Sequence, residues 1–473
     1  MEHTIGNFIN GKWILKGEEY LTVFNKYTGK VLAQTPLASR KEVEEAISSS
    51  SIAFSNYRRT NSEDRLILFE SIIEKMIVKS EYLAQLICQE AGKPISYAKT
   101  EIQRCIATLR AASKECLDIS GEVIPMNYAV GKGKTAFTKK MPLGPIIAIS
   151  PYNFPLNLAL HKIAPALAAG CSIVIKPSPF TPLSLLAFAK IMEEAGAPKG
   201  LINVVITDDE LAEVMVRDER FKLLSFTGSP QIGWHLKNIA GKKKVVLELG
   251  GNAAIYIDEN QDLQKIAQEA AIGAFLYAGQ ICISTQRIFV HEDGYDHFLR
   301  LICQFTDELA VGDPSNEATI VSSLIDNLHL NRIDEWVQEA IEDRPDSLLM
   351  GGTKLGNNIY SPTILTNISR HHKVHSEEIF GPVVVIEKVK DFKEGIAEIN
   401  NSKFGLQAGI YVSEIEKIKW INEELEVGGI IYNNIPGFRI DTMPYGGIKD
   451  SGIGREGIKY AMEEMLEEKL IVI

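Results

Sequence analysis

Residues 145–178 read PIIAISPYNFPLNLALHKIAPALAAGCSIVIKPS. IIAIS and CSIVIK are short apolar runs rich in β-branched residues, each sized for a buried strand. Between them lies an apolar stretch, interrupted by Pro165, that reads as a helix. The alternation runs on. It predicts a helix over 182–196, a strand in LINVVI, a helix over 208–217, a strand in LLSF, a helix over 231–240 and a strand in VVLEL. Strands alternating with helices of about 10–15 residues predict a parallel α/β sheet.

A second α/β series starts at Asn252. It has the strand AAIYI, a helix over 263–277, the strand QRIFV and a helix over 295–309, and continues to GGIIYNN near residue 433. Upstream, 8–35 reads as short strands turning at Asn10-Gly11 and Thr28-Gly29. Residues 41–120 read as helical, with apolar residues at helical spacing over 65–90 and 101–119. Two pieces stand outside these units. Residues 121–142, GEVIPMNYAVGKGKTAFTKKMP, predict a β-hairpin turning near Gly131-Lys132-Gly133, and 456–473 predict a helix and then the strand KLIVI. If hairpin and terminal strand pair, they form a ribbon with exposed edges, which usually serves oligomerisation.

A chain of 473 residues is long enough for about three domains. Its 45% hydrophobic and 23% charged residues are those of a globular protein, against disorder or a collagen-like repeat. The net charge of −11 gives no global attraction for nucleic acid or an anionic membrane. Six cysteines in this length point to a reducing compartment. The N-terminal stretch MEHTIGNFINGKW has no apolar core for a secretory signal. No apolar run approaches the ~20 residues of a membrane span. The cytoplasm is the expected location.

Candidate chemistry begins at the cysteines. Cys88, Cys105 and Cys303 fall within helical apolar patterns and read as core, Cys116 lies on a mixed face and Cys171 starts a strand. Cys282 differs. It sits in YAGQICIST, where a helix breaks into a strand and backbone N–H groups can favour a thiolate. Glu248, in VVLELGG, is an acid inside a buried strand. It is either a general base, its pKa raised by burial, or a strand-end residue capping a turn. The segment 225–233, SFTGSPQIG, leads from a strand into a helix. Gly228, Ser229 and Gly233 suit a turn whose N–H groups face an anion, although this is not the G-x-G-x-x-G fingerprint. GKGKT at 131–135 is not a phosphate loop, because Tyr128 stands where the first glycine is required. His371, His372 and His375 read as a solvated loop group, and no metal centre is expected.

Together these segments resemble the aldehyde dehydrogenase superfamily along nearly the whole chain. FINGKW, EAGKP, SPYNFPLNL, IVIKPS, SFTGSPQIG, LELGGNAA, AGQICIST, EEIFGPV, FGLQAGIY and PYGGIKDSGIGREG occur in the family's order. The tail is similar to the group that holds lactaldehyde and non-phosphorylating glyceraldehyde-phosphate dehydrogenases. The resemblance implies a Rossmann-like NAD(P)-binding domain over 1–120 and 143–250, an α/β catalytic domain over 251–455, and an oligomerisation arm from 121–142 and 456–473. It implies a homodimer or a homotetramer built as a dimer of dimers. The implied reaction is oxidation of an aldehyde to its acid, with NAD or NADP, through a cysteine thiohemiacetal and thioester.

By the same resemblance Cys282 is the nucleophile, Asn153 and the Cys282 N–H form the oxyanion hole, and Glu248 activates the hydrolytic water. Glu456 is either a proton relay or an ordinary acid at a helix start. Lys176 and Ser178 lie at the adenosine ribose, Ser229 with Gly228 and Gly233 at the pyrophosphate, and Glu378 and Phe380 at the nicotinamide ribose and ring; Phe380 also reads as core. One departure concerns the cofactor. Pro179 stands where NAD-preferring members often carry Glu, so a 2′-phosphate meets no carboxylate there and a small NAD/NADP preference is expected.

For the substrate, Asn157 and His161 follow Asn153 at helical spacing. Arg104, in EIQR, and Arg439, in PGFRIDTMPYGG, belong to segments that border the family's tunnel. With His161 they predict a cationic cup for a small polar, hydroxylated or anionic aldehyde, such as lactaldehyde or a semialdehyde. Arg104 has a second reading, a structural ion pair with Glu101 or Glu90. Ile281 replaces the Arg that precedes the nucleophile in subfamilies for strongly anionic aldehydes. Two other functions share the fold: acyl transfer to coenzyme A, whose members generally lack the base that Glu248 supplies, and a catalytically silent scaffold.

Overall fold

In the computed structural model, which describes residues 4–473, strands Ile146–Ile149 and Ile173–Lys176 pair in parallel, Ile146 opposite Ile173. The start of MEHTIGNFINGKW, residues 1–3, lies outside the described residues. The stretch between the two strands forms helix Asn157–Ala169. Every residue of it is buried, as an all-round apolar helix requires. Gly170, at φ 88°, ends it in the left-handed conformation that a side chain would oppose.

These strands belong to an eight-stranded sheet. Across the sheet the order is Lys12–Ile14, Asn7–Ile9, Ile202–Val204, Ile173–Lys176, Ile146–Ile149, Leu223–Thr227, Lys244–Glu248 and Gly452–Ile453. From Ile146–Ile149 the chain winds outward one way, and from Leu223–Thr227 it winds the other way. A reversal of this kind leaves a crevice beyond the C-terminal ends of the two strands, where open α/β sheets take ligands. Helices Ser62–Val78, Ile95–Glu115 and Asn157–Ala169 contribute to the core on one face of the sheet. Helices Arg40–Tyr57 and Asp209–Arg217 contribute to that on the other.

The second unit is a seven-stranded sheet in which Ala254–Ile257 lies between the central strand Arg287–His291 and Gln407–Tyr411, these three being parallel. The third is the arm. Leu466–Val472 pairs antiparallel with Ala136–Pro142, Lys469 opposite Lys139, and Val123–Ile124 adds an outer strand. The pairing of hairpin and C-terminus is as expected, and the terminal strand starts at Leu466, ahead of KLIVI. The apolar helical run over 65–90 is two helices, Ser62–Val78 and Ser80–Ala91, broken at Lys79. Buried Phe69, Ile72, Ile73 and Met76 continue in phase into Leu83, Ala84 and Ile87, so periodicity does not mark the joint. Cys116 is fully buried rather than on a mixed face, whereas Cys303 is only partly buried; all six cysteines are free thiols. Among the described residues no helix is long and apolar enough to cross a membrane.

Candidate active site

The crevice is lined by the ends of parallel strands. Asn153 follows Ile146–Ile149, Lys176 ends Ile173–Lys176, Ser229 follows Leu223–Thr227 and Glu248 ends Lys244–Glu248. Cys282 comes from the second unit, on the loop between helix Leu263–Phe275 and strand Arg287–His291. The chain reaches it through three successive left-handed residues, Tyr277 (φ 53°), Ala278 (φ 52°) and Gly279 (φ 67°). Such a backbone persists only where its surroundings over-determine it. Here the Tyr277 hydroxyl donates to the Ala91 carbonyl, and the Gln280 amide bonds Tyr277, Ser323 and Ile325 of the main chain.

Cys282 is half-buried, with Sγ 2.9 Å from the Tyr445 hydroxyl. Burial pushes its thiol up to about 11, against the Tyr445 hydrogen bond and the Arg439 charge. Asn153 lies just before the helix rather than on it, and its Nδ2 donates to the Gln280 carbonyl at 3.0 Å. An amide has two N–H groups, so one anchors the side chain beside the nucleophile loop and one is left over. The turn carrying Asn153 is set by a fully buried ion pair, Lys93 with Glu101. Lys93 Nζ sits 3.7 Å from the centre of the Phe154 ring, and Glu101 Oε1 accepts from the N–H groups of Leu156 and Asn157.

Glu248 is buried and neither of its carboxyl oxygens has a hydrogen-bond partner. Burial, then the charge of Glu456, holds it well above the ordinary carboxyl range. It does not cap a turn, so the capping alternative falls. The glycines after it have a steric reason. A Cβ on Gly250 would collide with the Glu378 carboxyl, and one on Gly251 with the Cys282 carbonyl. Glu456 is buried and bonded to Lys162 Nζ at 3.1 Å and Arg439 Nη2 at 3.2 Å. Burial would raise its carboxyl, yet the Lys162 charge and that of Arg439 hold it at about 2.

The four residues expected around the substrate do come together, and Asp441 joins them. Its Oδ1 accepts from Arg104 Nη2 at 2.7 Å, His161 Nε2 at 2.8 Å and Asn157 Nδ2 at 3.3 Å; Oδ2 accepts from Arg104 Nε at 3.1 Å. Arg439 Nη2 reaches His161 Nδ1 at 3.4 Å. A guanidinium only donates, so Nδ1 accepts, and the His161 proton sits on Nε2 facing Asp441. Burial and the Arg439 charge lower the His161 pKa, which fits this neutral ring. The ion pair of Arg104 is thus with Asp441, and not with Glu101 or Glu90. Glu101 serves Lys93, and Glu90 accepts from the N–H groups of Leu183 and Ser184 at the start of helix Leu183–Glu194. The cup holds two arginines, each matched by an acid.

On the other side of the crevice, Cys282, Glu378 and Phe380 line one pocket with Gly251. Glu378 Oε1 accepts from the Gly251 N–H at 2.9 Å, and burial pushes its carboxyl up to about 7. Phe380 is not core: it is half-buried, left-handed at φ 49°, with its ring edge-on to Tyr152. Ser229 precedes helix Pro230–Ile239 without bonding its N–H groups, so hydroxyl and helix N-terminus are both available. The space beside Gly228 and Gly233 is filled by Phe226 and Leu249, so clearance there serves packing of helix on strand, and the two glycine N–H groups donate to the Glu248 and Ser229 carbonyls. Lys176 Nζ lies 3.7 Å from Asp209 Oδ1, with Ser178 and Pro179 next along the chain. An ammonium, an open helix N-terminus and a half-engaged carboxyl fit the ribose, pyrophosphate and second ribose of a dinucleotide.

A sequence profile of the aldehyde dehydrogenase family matches residues 13–471. The chain belongs to this family. A 3-sulfolactaldehyde dehydrogenase of Priestia megaterium (strain ATCC 12872 / QMB1551) is 39% identical over 470 residues, 99% of this chain and 98% of that protein. Among solved structures, aldehyde dehydrogenase 21 of Physcomitrella patens, in complex with the reaction product succinate, has a TM-score of 0.96 at 39% identity, covering 100% of this chain and 98% of that one. Glyceraldehyde-3-phosphate dehydrogenase of Methanocaldococcus jannaschii DSM 2661, complexed with NADP, has a TM-score of 0.92 at 36% identity, covering 97% of this chain and 100% of that one.

In this aldehyde dehydrogenase the residues that sequence reasoning missed are Asp441, Tyr445, Lys162, Asp209 and the Lys93–Glu101 pair. FRID carried no signal for Asp441: Phe438 and Ile440 are exposed while Arg439 and Asp441 turn inward, the reverse of what their polarity predicts. The three histidines do not form a solvated loop group. His375 is buried on the short helix Lys373–Ser376, and His372 bonds Asp343.

Proposed function

We propose that the protein oxidises a small polar aldehyde to its carboxylic acid with NAD or NADP, through a covalent thioester on Cys282. The observation that carries this reading is the convergence of Cys282, Asn153, Glu248 and Glu378 on one crevice. The Cys282 thiolate attacks the aldehyde carbon. The unengaged N–H of Asn153 and the Cys282 backbone N–H receive the charge that develops on oxygen. When bound, the nicotinamide dinucleotide supplies the hydride acceptor. Lys176 and Ser178 would hold its adenosine end, Ser229 and the uncapped start of helix Pro230–Ile239 its pyrophosphate, and Glu378 and Phe380 its nicotinamide end. Glu248, unpartnered and made more basic by burial, takes a proton from the water that cleaves the thioester. Its presence supports acid rather than acyl-coenzyme A as product. Glu456 holds Lys162 and Arg439 in place; an acid so firmly ion-paired is poorly suited to relay protons.

For the substrate, Arg104 and Arg439 favour a hydroxyl or a single negative charge, and Asp441 and Glu456 disfavour a multiply charged one. Lactaldehyde and C4 semialdehydes fit. The test is a panel of aldehydes with both cofactors, with Cys282→Ala as control. Higher kcat/KM for C2–C4 polar aldehydes than for hexanal or benzaldehyde is expected, and the reverse order refutes the substrate assignment. Activity that survives in Cys282→Ala refutes the mechanism.

A further inference from the structure

Tyr445, in the PYGG turn, is 4% exposed and points its hydroxyl at Cys282 Sγ, 2.9 Å away. Its main chain is fixed from both sides. The Tyr445 N–H donates to the Glu456 carbonyl at 3.0 Å, and its own carbonyl accepts from the Glu456 N–H at 2.7 Å. Its ring carries the Arg439 guanidinium on one face, Cζ 3.6 Å from the ring centre. That guanidinium is tied to Glu456 Oε2 at 3.2 Å. One acid therefore holds the tyrosine by its backbone and the stacked cation by its side chain. A phenol so held delivers its oxygen to one place.

The chemistry of that place is specific. A phenol O–H donates well to a thiolate and poorly to a neutral thiol, so the contact favours the charged form. A cation over the ring face draws electron density from the phenol and strengthens its O–H as a donor. The other groups facing Sγ pull both ways. Glu378, Glu248 and, across the pocket, Tyr97 disfavour negative charge on sulfur, and Arg439 favours it.

We propose that Tyr445 is a further catalytic residue: its hydroxyl donates to Cys282 Sγ and favours the thiolate over the thiol, with Arg439 strengthening that donor from the ring face. The proposal rests on Cys282 being the nucleophile. As the C–S bond forms, the sulfur pair becomes the bond and the carbonyl pair moves to oxygen. Charge then leaves the Tyr445 hydroxyl for the Asn153 amide, so the tyrosine stabilises the attacking state and not the adduct.

The test is Tyr445→Phe in the full chain, which deletes one oxygen. Iodoacetamide alkylation is followed against pH without cofactor, by mass of the Cys282 peptide. The midpoint is expected to rise by about one pH unit, slowing alkylation at pH 8 roughly tenfold, with NADH binding and melting temperature unchanged. A residue that only fills space would leave the profile unmoved, and that result overturns the proposal. If Tyr445→Phe does not fold, replacing Tyr445 by the more acidic 3-fluorotyrosine is expected to lower the midpoint, and an unmoved midpoint again overturns it. Cys282→Ala separates the two assignments. If it is inactive while the Tyr445→Phe profile is unmoved, only the tyrosine's role fails. If it is active, the nucleophile assignment fails as well.

Discussion

At Asp441 one carboxylate takes hydrogen bonds from Arg104, Asn157 and His161. It is held well below the usual carboxylate range by His161 and Arg104, against burial. This charge sets what the cup accepts. Asp441→Asn keeps the shape and removes the compensation, so kcat/KM for succinic semialdehyde relative to butanal is expected to rise roughly tenfold. A ratio that stays level, measured with both substrates on the folded variant, contradicts this. Asp209 has a parallel part at the cofactor end. Its carboxylate stands beside Lys176, where Pro179 offers none. Asp209→Asn is expected to tighten NADPH relative to NADH about fivefold, read from Kd by nicotinamide fluorescence.

Among the elements, helix Asn157–Ala169 carries most of the site's support: Asn157 and His161 face Asp441, and Lys162 bonds Ser225, Thr227 and Glu456. Its first turn is capped by Glu101, which is ion-paired with Lys93. Glu101→Ala leaves an ammonium buried without a partner and is expected to cost about 3–5 kcal/mol in urea unfolding. The strands and helices around this element were legible in the sequence, because IIAIS, CSIVIK and VVLEL are apolar on both faces and the helices keep their period. Cys282, Glu248 and Asn153 were legible as motifs. Asp441 and the Lys93–Glu101 pair were not, because an ion pair joins residues by folding and leaves no local pattern. Phe380 reads as core because the sequence hides its left-handed backbone.

Across the whole molecule, Glu456 links the C-terminal segment to the first sheet through Lys162 and to the cup through Arg439. Its folded-state carboxyl lies below the unfolded value of 4.5, at about 2. The ionised acid therefore contributes its stability in full above pH 4.5 and loses it as pH falls toward 2. Wild type and Glu456→Gln are expected to differ in melting temperature at pH 7 and to converge as the pH approaches 2. The arm has its own prediction. Leu470 and Ile473 are 60% and 77% exposed on its surface. A chain ending at Met465 loses strand Leu466–Val472 and is expected to show a lower native mass by light scattering. An unchanged mass would mean that the arm does not join subunits.

The Arg104–Asp441 pair spans 337 residues of sequence. On a ribosome, Arg104, Asn157 and His161 emerge and pack long before their counter-charge exists. Contacts this far apart form late and slowly. Seven strands of the eight-stranded first sheet can thus be in place while the substrate cup still bears an unneutralised arginine. The nascent enzyme acquires its reactive pocket only at the end of synthesis, when the loop with Arg439, Asp441 and Tyr445 arrives. Until then the nucleophile and base stand beside a cup whose last wall is missing, so the order of translation leaves the substrate pocket to be finished last.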